Sequence, residues 1–354
     1  MSMNRRRIVF LTRNYKTTLS GGAKARIDVE DILESEGAVN LGLSRTFRRD
    51  KAYDYLRNLA GLIRCLQHLR RGDVLVVQYP LKKYYSILCR MAKRRGASVV
   101  TLVHDLGSFR RHRLTPEEEI ARLSLSDVAV VANANTKAWL EEHGYRKSTV
   151  IQHAWDYLSD AEASGKEQPP MSCVFVGNCN PSRNSYLYKI SPEIELHLYG
   201  GGIPDDVAPN IRPHGLTEPD RIISTCEGRF SLIWYDSELK HSREGYIGDY
   251  IIYANSHKLA LYILAGKPVI VWSGSGMAQF VKQEGIGLCV DSLENLPATL
   301  AAVSDNEYEE MRRNVLRLAG SMRKGEFARR WLREAMEKVS ASAADNSRQQ
   351  SSSV

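Results

Sequence analysis

The chain has 354 residues, of which 43% are hydrophobic and 25% charged, a composition that excludes a fibrous or largely disordered protein. This length predicts two domains of roughly 150 residues each, because one hydrophobic core seldom serves a longer chain. The net charge of +8 is concentrated in residues 1–155, which carry 28 Lys and Arg against 15 Asp and Glu. A basic half attracts partners that carry phosphate, but charge alone does not choose among nucleic acid, an anionic membrane surface and a lipid diphosphate.

Short apolar runs alternate with helix-length segments in the first half of the chain. Strands that are apolar on both faces and separated by helices indicate a parallel sheet covered on both sides. We therefore predict an α/β, Rossmann-like domain over residues 1–155. Its strands are predicted at Ile8 to Thr12, Ala38 to Leu43, Val74 to Gln78, Ser98 to Val103 and Val128 to Ala132.

The same pattern restarts after a polar linker at residues 156–171 and predicts a second Rossmann-like domain over residues 172–304. Two such domains joined by a linker favour a cleft between them. The strands of the second domain are predicted at Cys173 to Gly177, Glu195 to Tyr199, Phe230 to Trp234, Pro268 to Trp272 and Gly287 to Val290.

The end of the chain is helical and then polar. Residues 305–339 are predicted to form closing amphipathic helices that pack back on the N-terminal domain, with a membrane-surface helix as the alternative. The Ser-rich residues 340–354 are predicted to be a disordered tail.

Signals for export, membrane insertion and metal binding by cysteine are absent from the sequence. The longest apolar stretch, Leu259 to Trp272, is shorter than the roughly 20 residues of a membrane-spanning helix, and the N-terminal apolar run is too short for a secretion signal. The six cysteines form no Cys-x-x-Cys pair. We therefore predict a cytoplasmic protein with reduced thiols.

A glycine pair precedes the first predicted helix, which is expected to begin near Ala23. A glycine-rich turn that leads into a helix can bring backbone N–H groups close to an anion, and Lys24 and Arg26 would add positive charge beside Gly22. The segment matches neither a Walker motif nor the dinucleotide-binding fingerprint. A plain strand-to-helix connection is therefore an alternative.

The most informative segment spans residues 248–272 and predicts a loop, a helix, a tight turn and a strand. Asn255 or Ser256 is a suitable N-cap, which places His257 and Lys258 in the first helical turn, where the helix dipole favours an anion. Tyr262 follows Lys258 by four residues on the same helix face, where its hydroxyl could contact a ribose. The alternative is that Lys258 is a solvated helix residue.

A second candidate phosphate site follows the first strand of the C-terminal domain. Gly177 and Asn178 end that strand, and Arg183 begins the next helix. Ligands of open α/β sheets bind beyond the carboxyl ends of strands, so Arg183 could contact the same diphosphate. A structural turn is the alternative.

Asp105 follows a predicted strand of the N-terminal domain and is the candidate catalytic base. A carboxylate there can accept the proton of an attacking hydroxyl. His104 is a rival for this role, and hydrogen bonding of Asp105 to a loop is a structural alternative. The sequence holds no Asp-x-Asp triplet, so we expect no metal and no cofactor to assist in binding a diphosphate.

These segments resemble the bacterial galactofuranosyltransferase and glucosyltransferase family that builds O-antigen, capsule and adhesin glycans. The resemblance covers nearly the whole chain. It rests on Gly22-Ala-Lys24-Ala-Arg26, Leu102-Val-His104-Asp105 with Arg110, Phe175-Val-Gly177-Asn178, Leu232-Ile-Trp234, Gly248-Asp249-Tyr250 and Asn255-Ser-His257-Lys258 with Leu261-Tyr262.

The resemblance implies a GT-B fold, a UDP-sugar donor held mainly by the C-terminal domain, an acceptor held by the N-terminal domain, inversion at the anomeric carbon and frequent homo-oligomerisation. Family members tend to have Lys-Tyr-Asn-Asn-Pro-His-Lys where this chain has Ile252 to Lys258. One basic and one amide side chain are therefore missing, which leaves the donor sugar open.

We therefore predict an inverting hexosyltransferase that uses UDP-galactofuranose or, as the alternative, UDP-glucose. The expected acceptor is a glycan, free or linked to a lipid diphosphate, and the basic half is consistent with peripheral contact with an anionic membrane at the inner face. A non-catalytic sugar-nucleotide-binding subunit is a rival of another class. Nucleic acid is not an expected partner, since no recognisable nucleic-acid-binding motif is present.

Overall fold

The computed structural model describes residues 6–15, 21–81, 84–110, 114–242 and 249–351. The chain divides into two compact units. One comprises the residues up to Gln152 together with those from Phe327 onward, and the other comprises His153–Glu326. The sequence predicts the division a few residues later and assigns residues 156–171 to a linker, whereas the contacts group that segment with the second unit.

The N-terminal unit is a parallel sheet of six strands in the order β2-β1-β3-β4-β5-β6. Its strands are β1 Ile8–Phe10, β2 Val39–Asn40, β3 Val74–Tyr79, β4 Ser98–Val103, β5 Val128–Val131 and β6 Ser148–Ile151. Its helices are α1 Gly21–Ser35, α2 Lys51–His68, α3 Tyr85–Arg94, α4 Gly107–Arg110, α5 Pro116–Leu123 and α6 Ala134–Glu142. The central strands β3, β4 and β5 are almost wholly buried, as expected for a sheet covered on both faces.

The second unit is also a parallel sheet of six strands, in the order β12-β11-β10-β7-β8-β9. Its strands are β7 Ser172–Val176, β8 Glu195–Tyr199, β9 Ile211–Gly215, β10 Phe230–Ile233, β11 Val269–Trp272 and β12 Gly287–Val290. Its helices are α7 Pro181–Asn184, α8 Pro219–Thr225, α9 Tyr250–Tyr253, α10 His257–Leu264, α11 Ala278–Glu284, α12 Leu296–Ala301 and α13 Asp305–Arg323.

All ten predicted strands are present, with shifts of a few residues at their ends. The sequence does not predict β6 and β9, and both lie at the outer edge of their sheet. β9 reads Ile-Arg-Pro-His-Gly and carries Pro213, which lacks the N–H that a central strand would need. The two parallel α/β sheets confirm the predicted pair of Rossmann-like domains.

The last two helices are separated at Gly325, whose φ is +72°. The second of them is α14 Glu326–Ser351, and its Arg329 side chain binds Glu36 and Ser35 at the end of α1. The helix continues through residues that the sequence predicts to be a disordered tail. Within the described ranges, no helix is both long and apolar enough to cross a membrane.

The strand order of each sheet reverses at one point, and this reversal determines where a ligand can enter. In the second unit, the chain runs from β7 outward to β9 and then returns to place β10 on the other side of β7. The connections at the carboxyl ends of β7 and β10 therefore diverge and leave a crevice, which is the usual ligand site of an open α/β sheet. In the N-terminal unit the equivalent crevice lies between β1 and β3.

Candidate functional site

Helix α10 begins beside the crevice of the second unit. Ser256, one of the two N-cap residues that the sequence predicts, is its N-cap, and the Ser256 Oγ accepts a hydrogen bond from the Lys258 N–H at 3.2 Å. The hydroxyl of Tyr235, two residues beyond β10, lies 2.8 Å from the same Oγ. Tyr235 therefore holds the N-cap residue Ser256 in place, and the first turn of α10 lies beside the carboxyl end of β10.

The Lys258 ammonium lies in an aromatic pocket. Its Nζ is 4.0 Å from the ring centre of Phe175 and 5.3 Å from that of Tyr235. Burial lowers the pKa of Lys258 to about 8. Within the part of the chain that the structure describes, no carboxylate forms an ion pair with this ammonium. A desolvated cation that lies at a helix N-terminus and contacts aromatic rings favours an anionic ligand.

Gly177 forms the floor of this pocket at the end of β7. A Cβ at this position would lie 3.1 Å from the Lys258 Nζ, and the φ of +147° is one that residues other than glycine rarely adopt. The Gly177 N–H donates to the carbonyl of Tyr199 at 2.8 Å. Gly200 permits this close approach, because a Cβ there would lie only 1.6 Å from the Gly177 carbonyl oxygen. The glycines therefore bring backbone next to the ammonium, as a phosphate site requires.

Tyr262 is fully buried and its hydroxyl is engaged by the main chain. It accepts a hydrogen bond from the Val176 N–H at 2.8 Å and donates to the Leu232 carbonyl at 3.3 Å. These partners belong to β7 and β10, the two strands that border the crevice. Tyr262 thus holds the crevice together, which differs from the contact with a ribose that the sequence predicts.

Asn255 and His257 lie against the segment that enters this unit. The Asn255 Nδ2 donates to the His153 carbonyl at 2.8 Å, and the Asn255 carbonyl accepts from the Trp155 Nε1 at 2.9 Å. His257 stacks on Tyr157 with ring centres 4.9 Å apart. These two side chains therefore position the start of α10. They do not take part in the contact between Lys258 and Gly177.

Asn178 and Arg183 are exposed on the loop beyond Gly177. The Asn178 Oδ1 accepts a hydrogen bond from the Asn180 N–H at 2.9 Å, which closes a turn. Arg183 lies in the four-residue helix α7 with its side chain exposed. This is the structural turn that is the alternative to a phosphate site at this loop.

His104 and Asp105 follow β4 in the N-terminal unit. The His104 Nε2 lies 2.7 Å from the Gln78 Oε1, and the Gln78 Nε2 donates to the Arg26 carbonyl at 3.2 Å. Burial and repulsion by Arg13 lower the pKa of Arg26 to about 9, whereas the charge of Asp105 raises it. The ends of β1, β3 and β4, together with Arg26 of α1, therefore bring together two cations, an imidazole and a carboxylate.

Gly22 lies within helix α1 and not in a turn before it, since the helix begins at Gly21, and Lys24 lies in the first turn of the helix, as the sequence predicts. The space beside Gly22 is open, because a Cβ there would meet nothing described within 4 Å. Lys24 forms an ion pair with the buried Asp28 one turn later. Of the residues that carry the resemblance, Gly248 lies outside the described residues.

Both halves of the chain match domains of a known protein family. Residues 8–154 and 173–335 match the N-terminal and C-terminal domains of the glucosyltransferase 3-like family. The chain belongs to this family. It is 27% identical over 321 residues to glucosyltransferase 3 of Streptococcus parasanguinis, covering 87% of this chain and 91% of that one. It is 23% identical to the β-1,6-galactofuranosyltransferase WbbI of Escherichia coli K12 over 272 residues, 76% of this chain and 81% of the relative.

Solved structures give the same fold for this glucosyltransferase 3-like protein. Sucrose-phosphate synthase of Thermosynechococcus elongatus aligns with a TM-score of 0.62 at 12% identity, over 95% of this chain and all of that one. The family membership shows that the protein is a glycosyltransferase and not a non-catalytic binding subunit, and the aligned structure shows that its fold is GT-B. The sequence does not predict that Phe175 and Tyr235 form the walls of the Lys258 pocket. Each is an aromatic residue near the carboxyl end of a strand that borders the crevice, which is the signal that could identify it.

Proposed function

We propose that this glycosyltransferase transfers a hexose from a UDP-hexose, with inversion, to a glycan acceptor of bacterial surface polysaccharide. The observation that carries the proposal is the desolvated Lys258 ammonium, which lies beside Gly177 at the point where the strand order reverses. A diphosphate matches this arrangement because it can accept hydrogen bonds from backbone N–H groups and neutralise the cation at once.

Lys258 and the N-terminus of α10 would stabilise the charge that develops on the departing UDP. They act without a divalent metal in this proposal, because the helix dipole and the ammonium supply the positive charge. Asp105 would accept the proton of the attacking hydroxyl, which increases the nucleophilicity of that oxygen. Arg13 and Arg26 would bind an anionic group of the acceptor, for which a lipid diphosphate at the inner membrane face is the proposed source.

Two donors are candidates. The sequence resemblance favours UDP-galactofuranose, in line with the similarity to WbbI. UDP-glucose is the second candidate, which the match to glucosyltransferase 3 over a larger share of the chain favours. Ile252 and Ala254 replace a basic and an amide side chain of the family, whereas Asn255 and Lys258 are retained. These replacements therefore affect which donor sugar is bound, and not the binding of the diphosphate.

Thermal melts with UDP, UDP-galactofuranose and UDP-glucose test donor binding, because a ligand that binds the folded state raises the apparent melting temperature. UDP release is then measured with the better donor and extracted lipid-linked glycan. We expect stabilisation by UDP, turnover with one of the two donors and a product of inverted anomeric configuration. Absence of stabilisation by any of the three ligands would contradict the proposed donor site, and a product of retained configuration would contradict the role of Asp105.

A further inference from the structure

Two histidines and one glutamate converge on one face of the second sheet. His197 lies in β8, His214 lies in the neighbouring edge strand β9, and Glu227 follows α8. Among the described residues, these three form a group in which one ligand atom from each lies within 4.8 Å of the others. Neither the donor site nor the catalytic proposal uses them.

The distances between these atoms are those of ligands around a small cation. The His197 Nδ1 lies 3.0 Å from the His214 Nε2 and 3.4 Å from the nearer Glu227 carboxylate oxygen. Ligand atoms of a tetrahedral zinc ion, bound at about 2.0–2.2 Å, lie roughly 3.3–3.5 Å apart. Small side-chain movements would therefore bring the three atoms into zinc coordination, with a fourth position open to water.

The surrounding residues hold the three groups in place. The Glu195 carboxylate lies 2.9 Å from the His197 Nε2, so Nε2 carries the proton and Nδ1 presents its lone pair. This carboxylate–histidine pair is the usual support of a metal-binding imidazole. The Tyr199 ring stacks on His214 with centres 4.1 Å apart and planes 2° from parallel, and the Tyr199 hydroxyl accepts from the Glu227 N–H at 3.1 Å.

The set of ligand atoms also favours a transition metal, since two imidazoles with one carboxylate suit zinc and its neighbours better than magnesium or calcium. In the absence of a metal, the two imidazoles can share one hydrogen bond, which is the competing explanation of their contact.

We propose that His197, His214 and Glu227 bind a divalent transition-metal ion of the zinc class. The ion would join β8, β9 and the segment after α8, and so stabilise the edge of the second sheet. Tyr199 links this cluster to the donor site, because its carbonyl accepts a hydrogen bond from the Gly177 N–H at 2.8 Å. Since the link runs through the backbone of Tyr199, the role proposed for the ion is structural, and the ion does not bind the diphosphate.

The proposal is tested by titrating the full chain with zinc. The protein is first stripped of metal with EDTA and exchanged into chelator-free buffer, and binding is then measured by calorimetry and thermal melts. We expect one zinc ion per chain, a higher melting temperature with zinc, and no competition by magnesium. His214→Gln and Glu227→Gln are the test variants, because both side chains are exposed and the metal-free protein should fold normally. Each should lower zinc affinity at least tenfold and remove the thermal shift.

His68→Gln and Glu193→Gln are the matched controls, since they remove an exposed imidazole and an exposed carboxylate elsewhere. Both should bind zinc like the unmodified chain. Equal affinity and stoichiometry in the unmodified chain, His214→Gln and Glu227→Gln would overturn the proposal and assign any bound zinc to other histidines. The absence of zinc binding by the unmodified chain at micromolar concentration would leave the imidazole–imidazole hydrogen bond as the explanation.

Discussion

Replacing Lys258 by methionine should stabilise the protein and weaken its ligand binding at the same time. The folded-state pKa of about 8, against 10.5 for an unperturbed lysine, corresponds to roughly 3 kcal/mol of destabilisation by the buried ammonium at neutral pH. Methionine removes that cost and keeps most of the side-chain volume. We expect a gain of about 1 to 2 kcal/mol, since the Lys258 residue as a whole is half-buried and solvent screens part of this cost. The melting temperature should therefore rise by several degrees.

The stability difference has a defined pH dependence. Because the pKa of Lys258 is lower in the folded than in the unfolded state, the cost is fully present below pH 8. It disappears as the pH rises from about 8 to 10.5, where the unfolded state also loses its proton. The melting temperatures of Lys258→Met and the unmodified protein should therefore converge at alkaline pH.

UDP affinity should change in the opposite direction. A lost charge-assisted contact costs about 1.5 to 3 kcal/mol, so the Kd for UDP should rise about ten- to a hundredfold in Lys258→Met at pH 7. Calorimetric titration and thermal melts on the same preparation measure both quantities. Lys267→Met is the matched control, because Lys267 is also buried with a lowered pKa and should not alter the Kd for UDP. A destabilised Lys258→Met with unchanged UDP affinity would refute the donor-site argument and show that the lysine is structural.

Four further predictions follow from the same geometry. UDP should bind more weakly as the pH rises above 8, by up to tenfold per pH unit, and Lys258→Arg should flatten this titration profile because arginine stays charged. Gly177→Ala should reduce UDP affinity in a titration, because its Cβ would lie 3.1 Å from the Lys258 Nζ. Asp105→Asn should lower initial transfer rates by about 10²- to 10⁴-fold with unchanged melting temperature and UDP Kd, and a near-normal rate would direct attention to His104. Transfer measured in excess EDTA, well below the melting temperature, should persist, and a complete loss that magnesium restores would contradict metal-independent phosphate binding.

Local signals in the sequence predicted most of the fold. The central strands are continuous apolar runs, and Ser256 follows the ordinary chemistry of a helix cap, so neither depends on distant residues. Strands β6 and β9 were missed because an edge strand needs only one neighbour and tolerates polar residues and proline. Whether such a segment forms a strand depends on its pairing with the neighbouring strand, which the local sequence does not specify.

The candidate site was predictable only in part, because sequence spacing does not reveal which partner a side chain finds. Lys258 and Gly177 were identified as separate motifs, and their contact required the reversal between β7 and β10. Tyr262 was placed on the correct helix face, but the main-chain groups that engage its hydroxyl lie 86 and 30 residues away. The sequence does not predict the contact between His197 and His214, because their spacing matches no common metal motif.

His153 adopts a φ of +70°, which is uncommon for a residue that is not glycine. Such a conformation typically costs about 1 to 3 kcal/mol, and here its carbonyl is held by the Asn255 side chain at 2.8 Å. Asn255→Ala should therefore lower activity even if Asn255 does not contact a ligand, because the strained backbone at His153 loses its hydrogen bond. If the second change His153→Gly restores activity to Asn255→Ala, backbone strain is the cause of the loss. If it does not, the loss reflects a missing contact with the sugar donor.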